Sequence, residues 1–385
     1  MTRPLLMIPG PIEISPAVHA AYQPLPPSHV SPGVIEAFGA SLERMREVWR
    51  VDTSYQPFIA SGSGTVAMDM AISNVVDSDD RVLIVNTGYF SDRIAEMANR
   101  RGATIEHVRC EAGYVPASDA VSAAAKAFRP TVVIATHVDT STGARVDVPS
   151  IISVAREHDA LTVFDGVCAT AGEAFEMKAW GADVYLTASQ KAIGLPPGLA
   201  LLVASERAMK RRERIENLPP MILDFAQWLP IMHAYEARKP SYFATPATNM
   251  VLALEAGLKE LTDVGMSEVV ARHQRVADAM RAAWKQLGLT LLGPWENAAN
   301  TLSAIRYPAG VDATVVSTIG ANGAIVAGGL HPKHKAEYFR VGHMGYTTTQ
   351  SEWLVQTVNA VESAMNHHGH RCGGGVEALI SALAK

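Results

Sequence analysis

Asp183-Val-Tyr-Leu-Thr-Ala-Ser-Gln-Lys191-Ala-Ile-Gly-Leu-Pro-Pro197 is an apolar run that breaks into a polar step and then a Gly/Pro-rich loop. Its length and its β-branched and aromatic residues predict a strand over 183–187 that delivers Lys191 straight into the loop. Upstream, Leu161-Thr-Val-Phe-Asp165-Gly is a second short apolar run, and it ends on a carboxylate. Side by side, the two strands would bring a lysine and an aspartate to one edge of a sheet. A turn-capping aspartate and a solvated loop lysine would look the same locally, since polar residues are common at strand ends. The rest of the chain has to decide.

From about residue 57 to 205, short apolar runs at 82–86, 104–108, 131–136, 161–165, 183–187 and 199–203 alternate with helical patterns at 91–101, 117–128, 148–158 and 206–216. Such alternation predicts an α/β fold with a mostly parallel sheet covered by helices. Past a proline-rich and aromatic stretch at 219–246, the pattern changes to two longer helices, 248–262 and 266–287. Shorter strands at 301–307, 324–327 and 338–341 and a helix at 349–366 follow. The expected organisation is an N-terminal arm (1–14), a large domain (15–250), a smaller C-terminal α+β domain (251–370) and a flexible tail with a short helix (371–385).

At 385 residues and 48% hydrophobic, the chain can bury a large core. Its net charge of -5 provides no broad basic field for nucleic acid, and Lys210-Arg-Arg-Glu-Arg214 reads as a solvated helix face. Cys110, Cys168 and Cys372 are too few and too scattered for a disulfide framework or a zinc site. The apolar start of the chain is broken by Pro9 and Gly10, too soon for a membrane span or signal segment. A cytoplasmic protein is expected; the end, Ala-Leu-Ala-Lys385, does not match the Ser-Lys-Leu address, with peroxisome and mitochondrion left open. His331-Pro-Lys-His334 and His367-His-Gly-His370 come without a carboxylate or cysteine partner, so no metal is expected.

Pro57-Phe-Ile-Ala-Ser-Gly-Ser63-Gly64-Thr65-Val-Ala is a strand, a Gly/Ser turn and a helix start. Backbone N–H groups at a helix N-terminus, joined by hydroxyls, make a phosphate cradle. The same residues spell Gly-x-Gly-x-x-Ala, the mark of a dinucleotide-binding unit, but the next strand ends on Asn86 where an acid should hold a ribose. A P-loop is excluded because no Gly-Lys-Ser/Thr follows. Tyr89 and Phe90, after the next strand, could stack on a flat ring. Thr136-His137-Val-Asp-Thr140-Ser-Thr-Gly143 ends another strand in hydroxyls, and Tyr338-Phe-Arg340-Val-Gly sets an arginine suited to a carboxylate among apolar neighbours. Taken singly, each is an ordinary feature. Together they fall at the ends of consecutive strands, where open α/β sheets bind ligands. Amine, acid, aromatic shelf and phosphate cradle are what pyridoxal phosphate requires.

These runs resemble the class V pyridoxal phosphate aminotransferases, specifically the alanine–glyoxylate and serine–glyoxylate aminotransferase group. The likeness extends from Ile8-Pro-Gly10-Pro through Ser61-Gly-Ser-Gly-Thr65, Thr136-His137, Val163-Phe-Asp165, Ser189-Gln190-Lys191 and Tyr242-Phe-Ala-Thr245-Pro to Arg340-Val-Gly. It implies the type I aminotransferase fold, with a mostly parallel seven-stranded sheet. Lys191 would form the Schiff base, Asp165 would pair with the pyridine nitrogen, and Phe90 and Val167 would cover the two ring faces. Ser63, Gly64, Thr65 and Gln190 would hold the phosphate and Thr140 the phenolic oxygen. Tyr242 and Thr245 would reach the phosphate across a homodimer interface, so that both subunits build each site. Arg340 would bind the substrate carboxylate, with the backbone near Gly10 closing over it.

The reaction implied is transfer of an amino group from a small amino acid, alanine or serine, to glyoxylate. Serine–pyruvate and 2-aminoethylphosphonate transaminases are the neighbouring alternatives, and no run supplies the extra cations that the second would want. A cysteine desulfurase would carry histidines where Phe90 and Gln190 stand, and the only cysteine after Lys191 is Cys372.

Overall fold

In the computed structural model, which describes residues 3–385, the centre is a seven-stranded sheet. Its strands are β1 (Tyr55–Ser61), β2 (Arg81–Asn86), β3 (Thr104–Arg109), β4 (Val132–Thr136), β5 (Leu161–Asp165), β6 (Val184–Ala188) and β7 (Leu199–Ser205), in the order β1-β7-β6-β5-β4-β2-β3. Only β7 runs against its neighbours. The C-terminal ends of all the others therefore share one edge. Every residue of β4, β5 and β6 is buried, as central strands covered on both faces require. β3 is one of the two outer strands, and its exposed and half-buried positions show it.

Helices cover both faces. α1 (Tyr89–Arg100) buries Ser91, Ile94, Ala95, Met97 and Ala98, one stripe at three- and four-residue spacing. It starts two residues before the expected position, so Phe90 lies in its first turn. Five helices went unread in the sequence, the longest being Pro32–Trp49 and Phe225–Glu236, with Pro16–Tyr22, Met177–Trp180 and Val315–Ala321 shorter. Proline sits at the entry of the first, where a missing N–H costs nothing, and inside the second at Pro230. The helix expected over 206–216 ends at Arg212.

Beyond the main sheet, β8 (Leu302–Arg306), β9 (Ala327–Gly328) and β10 (Tyr338–Gly342) form a three-stranded sheet with β10 in the middle. The strand expected over 324–327 is split. Ala324–Ile325 pairs in parallel with Leu5–Leu6 of the N-terminal segment, while Ala327–Gly328 pairs with Arg340 and Phe339. The apolar interior forms two main masses, one around the large sheet and one around Trp284, Phe339, Leu354 and Val358. The helix Thr248–Val264 packs into the first through Val251, Leu254 and Leu258. The terminal helix, Gly375–Leu383, is seated on the second, with Leu379 fully buried. No helix among the described residues is long and apolar enough to cross a membrane.

Candidate active site at the sheet edge

Just past β6, Ser189 fixes the loop that carries Lys191. Its hydroxyl donates to the Pro196 carbonyl at 2.7 Å and accepts from Leu199 N–H at 3.1 Å. Lys191 is thereby turned inward and buried, with Nζ donating to the carbonyl of Pro9. The next residue, Gly10, has φ +87°, and a Cβ there would stand 2.5 Å from Lys191 Cδ. Glycine is required on both counts. Burial pushes the Lys191 amine below its usual value, toward the neutral, nucleophilic form.

Asp165 ends β5 and is buried. Its Oδ1 accepts from Val167 N–H at 2.9 Å. Burial, only partly offset by that bond, pushes its carboxyl up to about 7. A carboxylate so short of compensation is well prepared to take a cation. Val167 then lies against the cradle: a Cβ on Gly64 would be 2.9 Å from its Cγ2.

The cradle itself opens the helix Gly64–Val75. Ser63 is exposed at the cap position, and its hydroxyl makes no capping bond. Thr65 is likewise exposed, and Gln190 carries a buried Oε1 without a partner. An unsatisfied buried polar group costs roughly 1–3 kcal/mol; a phosphate cannot donate to this oxygen, but turning the amide over would present its N–H donors instead. Phe90 is half-buried beside this cradle.

Arg340 projects from β10 and is also buried. Nε donates to the Gly328 carbonyl and Nη1 to the Thr140 carbonyl, each at 2.9 Å. Those two bonds leave the Nη2 side of the fork for a ligand carboxylate. Burial lowers its pKa, with the guanidinium still cationic at neutral pH.

The contacts make three links, Lys191 with Gly10, Asp165 through Val167 with Gly64, and Arg340 with Thr140, and the charges of Arg340 and Asp165 both act on the Lys191 amine. Tyr242 and Thr245 are not part of these links. Both are exposed, and the Tyr242 ring meets His29 at 5.4 Å. His331 and His334 lie ring against ring at 5.1 Å in a loop, with His334 bonded to Glu337.

Three participants were missed in the sequence. Pro9 offers a carbonyl, which no side-chain pattern reveals. Asp139 looked like a turn residue, yet it is fully buried, accepts from Ser141 N–H at 2.8 Å and hydroxyl at 2.5 Å, and leaves Oδ2 unpartnered. Ser141 Oγ in turn accepts from Tyr89 N–H at 3.1 Å, tying the hydroxyl loop to the aromatic shelf. Arg93, one turn after Tyr89 on α1, bonds Thr65 in the cradle; its i+4 spacing from Tyr89 was the available signal.

Residues 29–352 match the family model of aminotransferase class-V. The chain belongs to this family. Alanine–glyoxylate aminotransferase 1 of Saccharomyces cerevisiae is 33% identical over 365 residues, 89% of this chain and 92% of the yeast protein. L-aspartate–glyoxylate aminotransferase of Paracoccus denitrificans is 33% identical over 350 residues, 89% of this chain and 87% of its own. The solved structure of alanine–glyoxylate aminotransferase from Nostoc sp. superposes with a TM-score of 0.88 at 28% identity, covering 95% of this chain and 96% of that one. This class V aminotransferase is accordingly a pyridoxal phosphate enzyme. Its own residues fit the group: a buried acid for the ring nitrogen, a buried amine, an orphaned amide and a free hydroxyl at the cradle.

Proposed function

We propose that this aminotransferase moves the amino group of a small amino acid, alanine first and serine second, to glyoxylate, giving glycine and a 2-keto acid. The observation that supports this reading is that Lys191, Asp165 and Arg340 are all buried, that Lys191 lies under Pro9 and Gly10, and that the charges of Asp165 and Arg340 both act on its amine. Glyoxylate as acceptor is supported by the relatives, whose names share it while their donors differ between alanine and aspartate.

When bound, pyridoxal phosphate supplies an aldehyde that bonds to an amine and a ring that spreads the electron pair left by a departing α-proton. Lys191 would be the residue that holds it. Its Nζ would take the α-proton from the bound amino acid and give one back in the other half-reaction. Asp165 would stand against the ring nitrogen and favour its protonated form, and Phe90 and Val167 would cover the two ring faces. Ser63, Gly64, Thr65 and Gln190 hold the phosphate, and Thr140 the phenolic oxygen. Arg340 fixes the carboxylate of donor and acceptor alike, so the same residues serve both half-reactions.

A homodimer completes the site, with Tyr242 and Thr245 reaching the partner's phosphate. Support comes from the exposure of large apolar side chains in the segments 22–30 and 218–242, with Leu25 at 92%, Met221 at 66% and Tyr242 at 64%. The two apolar masses support a division into a large cofactor-binding domain and a small C-terminal one, with the helix Thr248–Val264 packed on the large one. Three free cysteines fit a cytoplasmic location.

The test is a half-reaction screen that follows the bound cofactor's visible spectrum. Alanine or serine should bleach it and glyoxylate restore it. No response to any small donor would sink the reading, as would normal turnover in Lys191→Ala, where both visible absorbance and activity should vanish.

A further inference from the structure

The cradle read as the phosphate site contains no cation. Ser63, Gly64, Thr65 and Gln190 are neutral, and a helix N-terminus supplies only about half an elementary charge. A phosphate monoester carries about -1.5 to -2. Arg93 stands beside this imbalance. Its Nη1 donates to Thr65 Oγ1 at 3.0 Å and its Nη2 to the Tyr89 hydroxyl at 2.7 Å. Cζ lies 5.3 Å from the centre of the Phe90 ring and 4.8 Å from that of Tyr89. Both hydrogen bonds go to hydroxyls, not carboxylates, while the neighbouring Asp92 is taken by Arg109 at 2.7 Å. An arginine spent on two hydroxyls at the mouth of an anion cradle has its charge left for a ligand.

We propose that Arg93 is the charge partner of the cofactor phosphate, neutralising the dianion held at Ser63–Thr65 and bracing the Phe90 shelf as it does so. The proposal rests on the cofactor site described above. It differs from a purely structural tether in one respect, since it makes affinity depend on the phosphate group itself.

Pyridoxal has the same ring and aldehyde but no phosphate, so it separates the two roles. The full-length chain, freed of cofactor, is titrated with pyridoxal phosphate and with pyridoxal, following visible absorbance. In Arg93→Gln, affinity for pyridoxal phosphate should fall by about 10- to 100-fold, the range of a lost charge-assisted hydrogen bond. Pyridoxal affinity should change by less than about threefold, within the spread of a surface substitution. Arg93→Lys, which keeps the charge, should recover most of the phosphate preference. Equal weakening of both compounds, or no weakening, would overturn the proposal. Failure of the native chain to bind either compound would remove the cofactor site as well. If Arg93→Gln does not fold, the 31P resonance of the native holoenzyme decides. It should keep its dianion position below about pH 6, where a free phosphate monoester takes up a proton; titration like the free cofactor would refute the pairing.

Discussion

The backbone of Gly10 lies directly on the side chain of Lys191, close enough that a β-carbon would stand 2.5 Å from Cδ and 2.8 Å from Cε. The contact joins distant parts of the chain. Leu5–Leu6 pairs with Ala324–Ile325, and Gly342 N–H donates to the Met7 carbonyl at 2.7 Å. The N-terminal segment therefore spans from the Arg340 strand to the lysine. It covers Lys191, and under the proposed function it roofs the place where Arg340 and Lys191 would act on one substrate.

Gly10→Ala should consequently damage chemistry as well as folding. Relieving the clash displaces either the roof or Lys191, and a displacement of about 1 Å at a reacting group can cost about 100-fold in rate. A fall of that order in kcat/KM is expected, together with a loss of stability of about 1–3 kcal/mol from a Cβ at φ +87°. Gly33→Ala is the control, because a Cβ there meets nothing within 4 Å. Equal activities in the two variants would contradict the roof.

Arg340→Lys tests the carboxylate clamp. Lysine keeps the charge but loses the fork, and with it the bonds to the Gly328 and Thr140 carbonyls. KM for amino donor and for glyoxylate should rise together by about 10- to 100-fold, the equivalent of a lost charge-assisted bond. The kcat should fall much less, because the clamp acts on ground and transition states alike. A change confined to one substrate would show that Arg340 is not their common anchor.

How much of this was legible in the sequence follows from where each signal resides. Strands such as Val132–Thr136 and Leu161–Asp165 are buried on both faces, so the apolar run is the strand. The residue that ends it is then the residue at the sheet edge, as Asp165 is, and Lys191 follows three residues after its strand ends at Ala188. Phe225–Glu236 was hidden by the internal Pro230 and a proline-rich approach, where tertiary packing of Phe225, Trp228 and Met232 overrides local propensity. The Pro9 carbonyl is 182 residues from Lys191, and Asp139 acquires its role only when Ser141 folds back over α1. Contacts of that range leave no mark on local pattern.

Three buried histidines make the fold acid-sensitive. Burial pushes His137 and His343 down to about 3 and His273 down to about 4. All three remain neutral in the fold while the unfolded chain takes protons below about pH 6.5. Their stabilising contribution is thus complete above that pH and is lost as pH falls toward 3 to 4, by about 2 kcal/mol each at pH 5. His343 bonds Ser303 Oγ at 3.0 Å through Nε2 and leaves Nδ1 unpartnered. His343→Gln should be somewhat less stable at about pH 7.5 but lose stability less steeply on acidification, by close to one proton. Denaturant titrations from about pH 7.5 to 5 measure the slope; an unchanged slope would mean His343 is not one of the groups responsible.

The exposed Tyr242 leads to a test of shared sites. Lys191 is buried within its own chain, whereas Tyr242 is 64% exposed and Thr245 lies beside it at the surface. If those two serve the partner's phosphate, a Lys191→Ala chain and a Tyr242→Ala/Thr245→Ala chain are defective in complementary ways. In a mixed dimer, one site receives both lesions and the other receives neither. Random reassortment makes about half of the dimers mixed, so about one quarter of native activity should return when two impaired preparations are dissociated and recombined. Recovery should follow second-order kinetics in protein and appear together with a dimer in sedimentation. Recombination that never exceeds the sum of the two parents, or a chain that sediments as a monomer while fully active, would confine each site to a single subunit.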